Sequence, residues 1–187
     1  MTTQVIVLNG GSSAGKSTMV RRLKEILPDP WISFGVDDLI ERLPPSLLES
    51  ESGLTFGPNG EVNVGDEFMR LQDAWMRGIA AMAKAGARII LDEVFLGGGA
   101  SQERTRRYLE GLDVLWVGVR CAPEIAAERE IARGDRVIGM AVSQAEVVHE
   151  GVVYDVEVDT GRAESLECAR AVMAYMSEAA RTGTVRA

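Results

Sequence analysis

A glycine-rich segment near the start of the chain carries residue types that bind phosphate. It reads Gly10-Gly-Ser-Ser-Ala-Gly-Lys-Ser17, follows an apolar run and fits the pattern G-x-x-x-x-G-K-[ST] without a mismatch. Its glycines let backbone N–H groups point at phosphate oxygens, beside the positive end of the next helix. We predict that Lys16 reaches the β- and γ-phosphates of a nucleotide and that Ser17 binds Mg²⁺. The predicted nucleotide-binding residues here are Gly10, Gly11, Ser12, Ser13, Ala14, Gly15, Lys16, Ser17 and Thr18.

Acidic residues stand at the ends of two predicted strands. Asp92 and Glu93 close an apolar run, where a carboxylate lies beside a phosphate-binding loop and can hold Mg²⁺ directly or through water. We assign the metal contact to Asp92 and leave Glu93 open. Asp37 follows the second strand, where an acid in a small-molecule kinase accepts the proton of the acceptor hydroxyl, so it is the predicted catalytic base. Asp38, or both acids of this pair, could instead only cap the next helix.

An arginine cluster lies further along the chain, at helical spacings of four and three. It contains Arg129, Arg133 and Arg136, with Gly134 between them. Such a cluster suits a small lid, here about 129–141, that brings guanidinium groups over a transferring phosphate. We predict this role, and nucleotide contact, for Arg133 and Arg136. For Arg129 a solvent-facing helical position is an equal alternative.

Apolar side chains near Asp37 predict a slot for an aromatic acceptor with a primary alcohol. The predicted substrate-binding residues, besides Asp37, are Phe34, Phe56, Trp75, Val94, Phe95 and Leu96. Most of them would serve equally well in a core. A tight turn at 57–60 predicts a hairpin between Leu54–Phe56 and Val62–Val64 that overhangs the site, within an acceptor-side insertion of about 44–66. The residues 159–162 are a candidate wall for the nucleotide base, or a cap for the last helix.

Short apolar runs alternate with longer helical patterns, which predicts an α/β fold with a mostly parallel sheet. The five predicted strands are Val5–Leu8, Trp31–Phe34, Arg88–Leu91, Val114–Val119 and Tyr154–Val158. Predicted helices cover Met19–Leu27, a segment from Asp66 to Gly86, Ser101–Leu109, Pro123–Arg133, Val142–Glu150 and Ala163–Ala180. These elements would place the strand-end acids and the glycine-rich loop at one edge of the sheet.

Length and composition limit the function classes. A chain of 187 residues with 46% hydrophobic residues predicts a single domain, 1–187, with a proper core. The net charge of −8 argues against a nucleic-acid polymer as partner, although a nucleotide in a local basic pocket is compatible with it. Two cysteines, no signal-peptide pattern and no apolar run of roughly 20 residues predict a cytoplasmic protein without membrane contact. Self-association is left open.

With these motifs in place, nearly the whole chain resembles the chloramphenicol phosphotransferase family. The most specific segments are Phe34-Gly-Val-Asp37, Val94-Phe-Leu-Gly-Gly98 and Val147-Val-His-Glu-Gly151. Further similarity lies in the segments 8–17, 85–90, 113–121, 132–137 and 154–160. The resemblance implies a P-loop kinase fold with a five-stranded parallel sheet flanked by helices. It also implies ATP and Mg²⁺ as cofactors and transfer of phosphate to the primary hydroxyl of chloramphenicol or a related antibiotic.

The same resemblance assigns roles where residues match. It gives Asp37 the role of base, Lys16 and Ser17 the phosphate and metal contacts, and Arg133 and Arg136 the lid. The chain departs from the family at Glu93, where the family has a second Asp, and across 44–53, where acceptor contacts are expected. A kinase of another hydroxylated metabolite therefore stays open. A nucleotide-dependent switch is a further alternative, although no N-K-x-D base-recognition motif is present.

Overall fold

The computed structural model describes residues 3–48, 50–57, 61–134 and 138–182. Its strands are β1 Val5–Asn9, β2 Trp31–Gly35, β3 Leu54–Phe56, β4 Val62–Val64, β5 Arg88–Glu93, β6 Val114–Arg120 and β7 Val156–Asp159. Its α-helices are α1 Lys16–Ile26, α2 Val36–Ile40, α3 Asp66–Lys84, α4 Gly99–Tyr108, α5 Pro123–Arg133, α6 Met140–Gln144 and α7 Ser165–Thr182. Short 3₁₀ turns cover Pro45–Leu47 and Val147–His149.

Five parallel strands form the central sheet in the order β2-β5-β1-β6-β7. Every residue of β1 is buried, as expected for a central strand with helices on both faces. One face packs against α1 and α7 and the other against α3 and α4. Leu8 pairs with Asp92, which pairs with Gly35, so the ends of β1, β5 and β2 lie side by side. This register brings the glycine-rich loop and both predicted acidic sites to one edge.

A two-stranded antiparallel hairpin, β3–β4, stands apart from this sheet. It belongs to a small core in which Leu39, Leu43, Leu54 and Phe68 are buried. The hairpin leaves Phe56 46% exposed and Val64 39% exposed. The predicted hairpin is therefore confirmed, and part of its apolar surface faces away from any core.

The predicted α/β fold with five parallel strands is confirmed, with two local corrections. The segment predicted as one helix over Val142–Glu150 is divided into α6 and a 3₁₀ turn, because the Val148 carbonyl turns to accept a hydrogen bond from Asn9 at 2.7 Å. The last strand begins at Val156 rather than Tyr154, because the Asp155 carboxylate, rather than a backbone carbonyl, accepts the Trp116 N–H at 2.7 Å. Among the described residues, no helix combines the length and apolar character required to cross a bilayer.

Candidate functional site

A cavity of about 660 Å³ opens at the carboxyl edge of the central sheet. Its wall includes residues 12–18 of the glycine-rich loop and helix α1, the ends of β2 and β5, and parts of the hairpin, α3 and α4. In open α/β sheets ligands bind at this edge, outside the carboxyl ends of the strands. The cavity therefore joins the predicted phosphate-binding loop to the predicted acceptor side.

The glycine-rich loop needs its glycines for backbone conformation and close packing. Gly15 has φ 87°, a left-handed conformation that side chains disfavour, and α1 begins directly after it. A Cβ on Gly10 would lie 2.5 Å from the Val119 carbonyl oxygen. Gly10 and Gly11 are buried behind the loop rather than in the cavity wall. These contacts leave the backbone N–H groups of the loop next to the cavity, as binding of phosphate requires.

Tertiary hydrogen bonds hold this loop from the β6–β7 side. The Ser12 N–H donates to the Gln144 side chain at 2.8 Å, and the Thr160 hydroxyl donates to the Ala14 carbonyl at 2.7 Å. Arg129 in turn donates to the Thr160 carbonyl at 2.8 Å. Arg129 is therefore a structural support of the loop in this conformation, not a solvent-facing residue. The contacts of Gln144 and Thr160 with the loop were not predicted, since each lies more than a hundred positions from its partner, and Thr160 was included only in the candidate base wall or helix cap at 159–162.

Lys16 and Ser17 meet Asp92 at the mouth of the loop. The Lys16 Nζ donates to the Gly11 carbonyl at 3.0 Å and lies 3.5 Å from Asp92 Oδ1. The Ser17 hydroxyl donates to Asp92 Oδ2 at 3.1 Å. The described residues contain no group of three or more acidic, cysteine or histidine side chains that could hold a metal alone. The hydroxyl and carboxylate fit Mg²⁺, which takes one or two protein oxygens together with phosphates and water.

Asp37 and Asp38 are adjacent but differ in environment. The Asp38 carboxylate accepts a hydrogen bond from the Gly35 N–H at 2.8 Å, which caps the first turn of α2. Asp37 is exposed and lies in the wall of the cavity. The structure thus assigns the capping alternative to Asp38 and places Asp37 where an acceptor hydroxyl could reach it.

Asp92 and Glu93 face opposite sides of β5, because successive strand residues alternate. Asp92 lies on the side of α1, and Glu93 lies on the side of Leu91, which packs against α3. Glu93 is only 8% exposed. Burial, followed by the nearby charge of Asp92, raises the pKa of Glu93 to about 7, although Lys16 and Arg104 oppose that shift.

The predicted lid is only partly described by the structure. Arg133 ends α5 and its side chain lies in the cavity wall. Arg136 lies outside the described residues. Glu130, which is 2% exposed, accepts hydrogen bonds from the backbone N–H groups of Gly139 and Ala141, both at 2.7 Å. The Glu130 carboxylate therefore links α5 to the start of α6, and the predicted lid arginines Arg133 and Arg136 lie in the chain between these two points.

The predicted apolar acceptor residues divide into two groups. Those in the cavity wall are Phe34, Phe56, Val94 and Leu96. Phe95 is 2% exposed and packs in the core near Trp116, so its side chain does not face the main cavity. Trp75 stands behind Phe34, with ring centroids 5.9 Å apart in an edge-to-face arrangement, and is not in the wall either. Both corrections arise because apolar residues next to a cavity can point into the core instead.

A buried polar network behind the loop was also missed. The Asn9 side chain donates to the Val148 carbonyl at 2.7 Å and to the Tyr154 hydroxyl at 2.6 Å, and it accepts from the Phe95 N–H at 2.9 Å. The Tyr154 hydroxyl lies 2.6 Å from His149 Nδ1. Burial lowers the pKa of His149 to about 4, which leaves the ring neutral at pH 7, where its contact with Tyr154 is structural. A polar residue at the end of a buried strand was the available signal for Asn9.

Comparison with known proteins is consistent with this site. Two curated proteins from two strains of Mycobacterium tuberculosis, provisionally named O-phosphotransferases, are each 30% identical over 182 residues, which is 89% of this chain and 79% of theirs. The shikimate kinase of Acinetobacter baumannii, solved with shikimate, superposes with a TM-score of 0.61 at 17% identity over 95% of this chain and 94% of that one. The APS kinase of Mycobacterium tuberculosis, solved with AMPPNP and APS, gives a TM-score of 0.61 at 14% identity over 94% and 98%.

These structural neighbours establish a P-loop kinase fold, and the curated relatives agree with a phosphotransferase. The family model described as "Chloramphenicol phosphotransferase-like protein" matches residues 3–177. That match covers the glycine-rich loop, both strand-end acids and the segment from α5 to α6. The predicted kinase activity and the predicted family are thereby confirmed, and this chain belongs to the chloramphenicol phosphotransferase-like family.

Proposed function

We propose that this protein transfers the γ-phosphate of ATP to the primary hydroxyl of chloramphenicol or a closely related alcohol, and so inactivates it. One observation carries the proposal. A single cavity contains the phosphate-binding loop, the exposed carboxylate of Asp37 and an apolar wall that includes Phe34 and Leu96. Its volume of about 660 Å³ suits a compact acceptor next to a triphosphate.

The proposed chemistry is in-line transfer. Asp37 orients the acceptor hydroxyl and accepts its proton as the oxygen forms a bond to the γ-phosphorus. The bond between that phosphorus and the β,γ-bridging oxygen breaks, which releases ADP. The carboxylate then returns its proton to water, which restores the base for another turnover.

Cationic groups and backbone amides would stabilise the charge that spreads over the moving phosphoryl group. We assign this role to Lys16, the first residue of α1, and to Arg133, which lines the same cavity. Ser17 and Asp92 would hold Mg²⁺, which neutralises phosphate charge when it is bound. We keep Arg136 as a proposed phosphate contact from the sequence alone.

The experiment is incubation of the purified protein with ATP, Mg²⁺ and chloramphenicol, followed by mass spectrometry of the acceptor. The expected product carries one phosphate on the primary hydroxyl. A panel of other alcohols that includes shikimate and gluconate identifies a different acceptor if one is preferred. ATP consumption at the same rate with and without every alcohol in the panel would contradict the proposal and favour the nucleotide switch.

A further inference from the structure

Polar side chains form part of the cavity wall between α3 and α4. A second cavity of about 30 Å³, roughly the space of one water, lies behind this wall. The residues that line both cavities are Gln72, Glu93, Val94, Ser101 and Arg104. This polar partition is on the acceptor side, because β5 lies between β1, which leads into the phosphate-binding loop, and β2, which leads to Asp37. The proposed transfer of phosphate assigns no role to its polar members Gln72, Glu93, Ser101 and Arg104.

Glu93 is the buried member of this partition. Its side chain leaves β5 on the face opposite Asp92, away from the proposed metal ligands. Among the described residues the Glu93 carboxylate has no hydrogen-bond donor within bonding distance, although the residue is only 8% exposed. The Glu93 carboxylate opens to the main cavity, so a ligand or water there can supply the hydrogen-bond donors that the protein does not.

Arg104 supplies the complementary donor. Its guanidinium makes one hydrogen bond to a described residue, from Nη1 to the Met69 sulfur at 3.8 Å, and thioether sulfur is a weak acceptor. No ion pair joins it to any carboxylate in the described parts of the chain. A guanidinium has five N–H donors, so most of those of Arg104 are left for a ligand or water.

We propose that Glu93 and Arg104 form a polar subsite that binds a second, neutral group of the acceptor, a hydroxyl or a secondary amide. Such a group donates a hydrogen bond to the Glu93 carboxylate and accepts one from the Arg104 guanidinium. The subsite therefore selects alcohols that carry a neutral donor–acceptor group over purely apolar alcohols. This inference rests on the proposed function for the hydroxyl that is phosphorylated.

The test compares two probes that differ by one hydroxyl. The first is 1-phenylpropane-1,3-diol, and the second is 3-phenylpropan-1-ol, which lacks the secondary hydroxyl. We expect kcat/KM for phosphorylation to be roughly 10- to 100-fold higher for the diol, since hydrogen bonds to charged groups have effects of this size. Equal kcat/KM for the two probes would overturn the inference.

Variants then assign the preference to the two residues. Glu93→Gln and Arg104→Gln are each expected to reduce the preference for the diol to a few-fold, mainly through KM, and Arg104→Lys should restore part of it. The matched controls are Glu103→Gln and Arg107→Gln, which make the same substitutions at exposed residues of α4, the helix that carries Arg104. They should leave the preference unchanged. A variant that slows both probes equally, with the parental preference retained, would show a structural role and overturn the subsite.

Binding without turnover separates this inference from the proposed function. Both probes are titrated calorimetrically into the protein with ADP present. If neither probe is phosphorylated but the diol binds more tightly in a manner that Glu93→Gln abolishes, the subsite is supported and the proposed function fails. Equal binding, or no binding of either probe, overturns the subsite even if another alcohol is phosphorylated.

Discussion

The two sides of the cavity are built differently. On the nucleotide side, Gln144 and Thr160 hold the backbone of the glycine-rich loop, and Arg129 supports Thr160. On the acceptor side, the hairpin consists of two strands of three residues each, and Phe56 is 46% exposed. The first side is specified by backbone geometry and buried hydrogen bonds. The second is specified by exposed side chains and a small local core.

This difference explains why the phosphate donor can be identified from the chain while the acceptor stays a proposal. A triphosphate is recognised by N–H groups and a few fixed residues, so any chain that binds one must have nearly the same loop. An acceptor is recognised by the shape and polarity of side chains, which change freely on a surface. The donor side therefore identifies the reaction class, and the acceptor side determines the substrate.

The largest expected effect is on kcat, from a substitution of Asp37, which lies between the nucleotide side and the acceptor side. Asp37→Asn removes the proposed proton acceptor and should lower kcat roughly 10²- to 10⁴-fold with ATP affinity retained, because general-base catalysis has this magnitude. Single-turnover kinetics and ATP titration measure the two quantities. Asp38→Asn is the control, since its amide oxygen can still accept the Gly35 N–H, and it should stay within a few-fold of the parent. Parental turnover in Asp37→Asn would rule out Asp37 as the base.

On the nucleotide side, Lys16→Ala should lower kcat roughly 10²- to 10³-fold and also weaken ATP binding, because one positioned cation is lost. Lys24→Ala is a matched control on the same helix, α1. Its ammonium is exposed and donates to the Ser33 hydroxyl at 3.3 Å, and its loss should change neither quantity. Unaltered ATP affinity in Lys16→Ala would contradict the assigned phosphate contact.

The polar network behind the loop predicts a pH dependence of stability. The pKa of His149 falls from its ordinary value of 6.5 to about 4 in the fold, so the unfolded chain binds a proton in this window and the folded chain does not. The contribution of His149 to stability is therefore largest above pH 6.5 and should fall by roughly 2–3 kcal/mol as the pH drops toward 4, whereas Glu93, with its pKa raised to about 7, contributes the opposite dependence. Urea unfolding at several pH values measures this. The stability difference between the parent and His149→Gln should change by that amount between pH 7 and pH 4, and a difference that does not vary with pH would contradict the prediction.

Backbone packing under the loop can be tested with two glycines. Gly10→Ala places a methyl group 2.5 Å from the Val119 carbonyl and should cost about 1–3 kcal/mol of stability and weaken nucleotide binding. Gly78→Ala is the control, because a Cβ there meets nothing within 4 Å in the middle of α3. That change should stabilise the protein by about 0.5–1 kcal/mol. Thermal and chemical unfolding measure the stability of both variants, and equal changes in the two would contradict the prediction.

The smallest expected effect is on the acceptor side. Phe56→Ala should raise KM for an apolar alcohol about 3- to 10-fold with little change in kcat or stability, because the ring is already half exposed in the fold. Ile32→Ala removes a side chain of similar exposure, 43%, outside the cavity and is the control. Equal KM values for Phe56→Ala and the parent would mean that the hairpin is not part of the acceptor site.

Much of the architecture could be predicted because it depends on periodicity. The apolar runs around Val5 and Ile89 have no polar face and so predicted central strands, and the helix Pro123–Arg133 was predicted with its observed bounds. The direction of single side chains could not be predicted. Phe95 and Trp75 are apolar residues near the cavity, and only their packing shows that one points into the core and the other stands behind Phe34.

The glycine-rich loop and the order of strands and helices follow from the sequence itself, because local backbone requirements and apolar periodicity are written in consecutive residues. The separation of Asp37 from Asp38, and of Asp92 from Glu93, was decided by the tertiary structure. Adjacent acids have nearly the same local sequence, so sequence alone does not separate them. Asp38 caps α2 while Asp37 faces the cavity, and Asp92 and Glu93 lie on opposite faces of β5 because strand residues alternate. The tertiary structure also decides that Glu93 and Arg104 line the same wall, since β5 and α4 must pack before these two side chains come near each other.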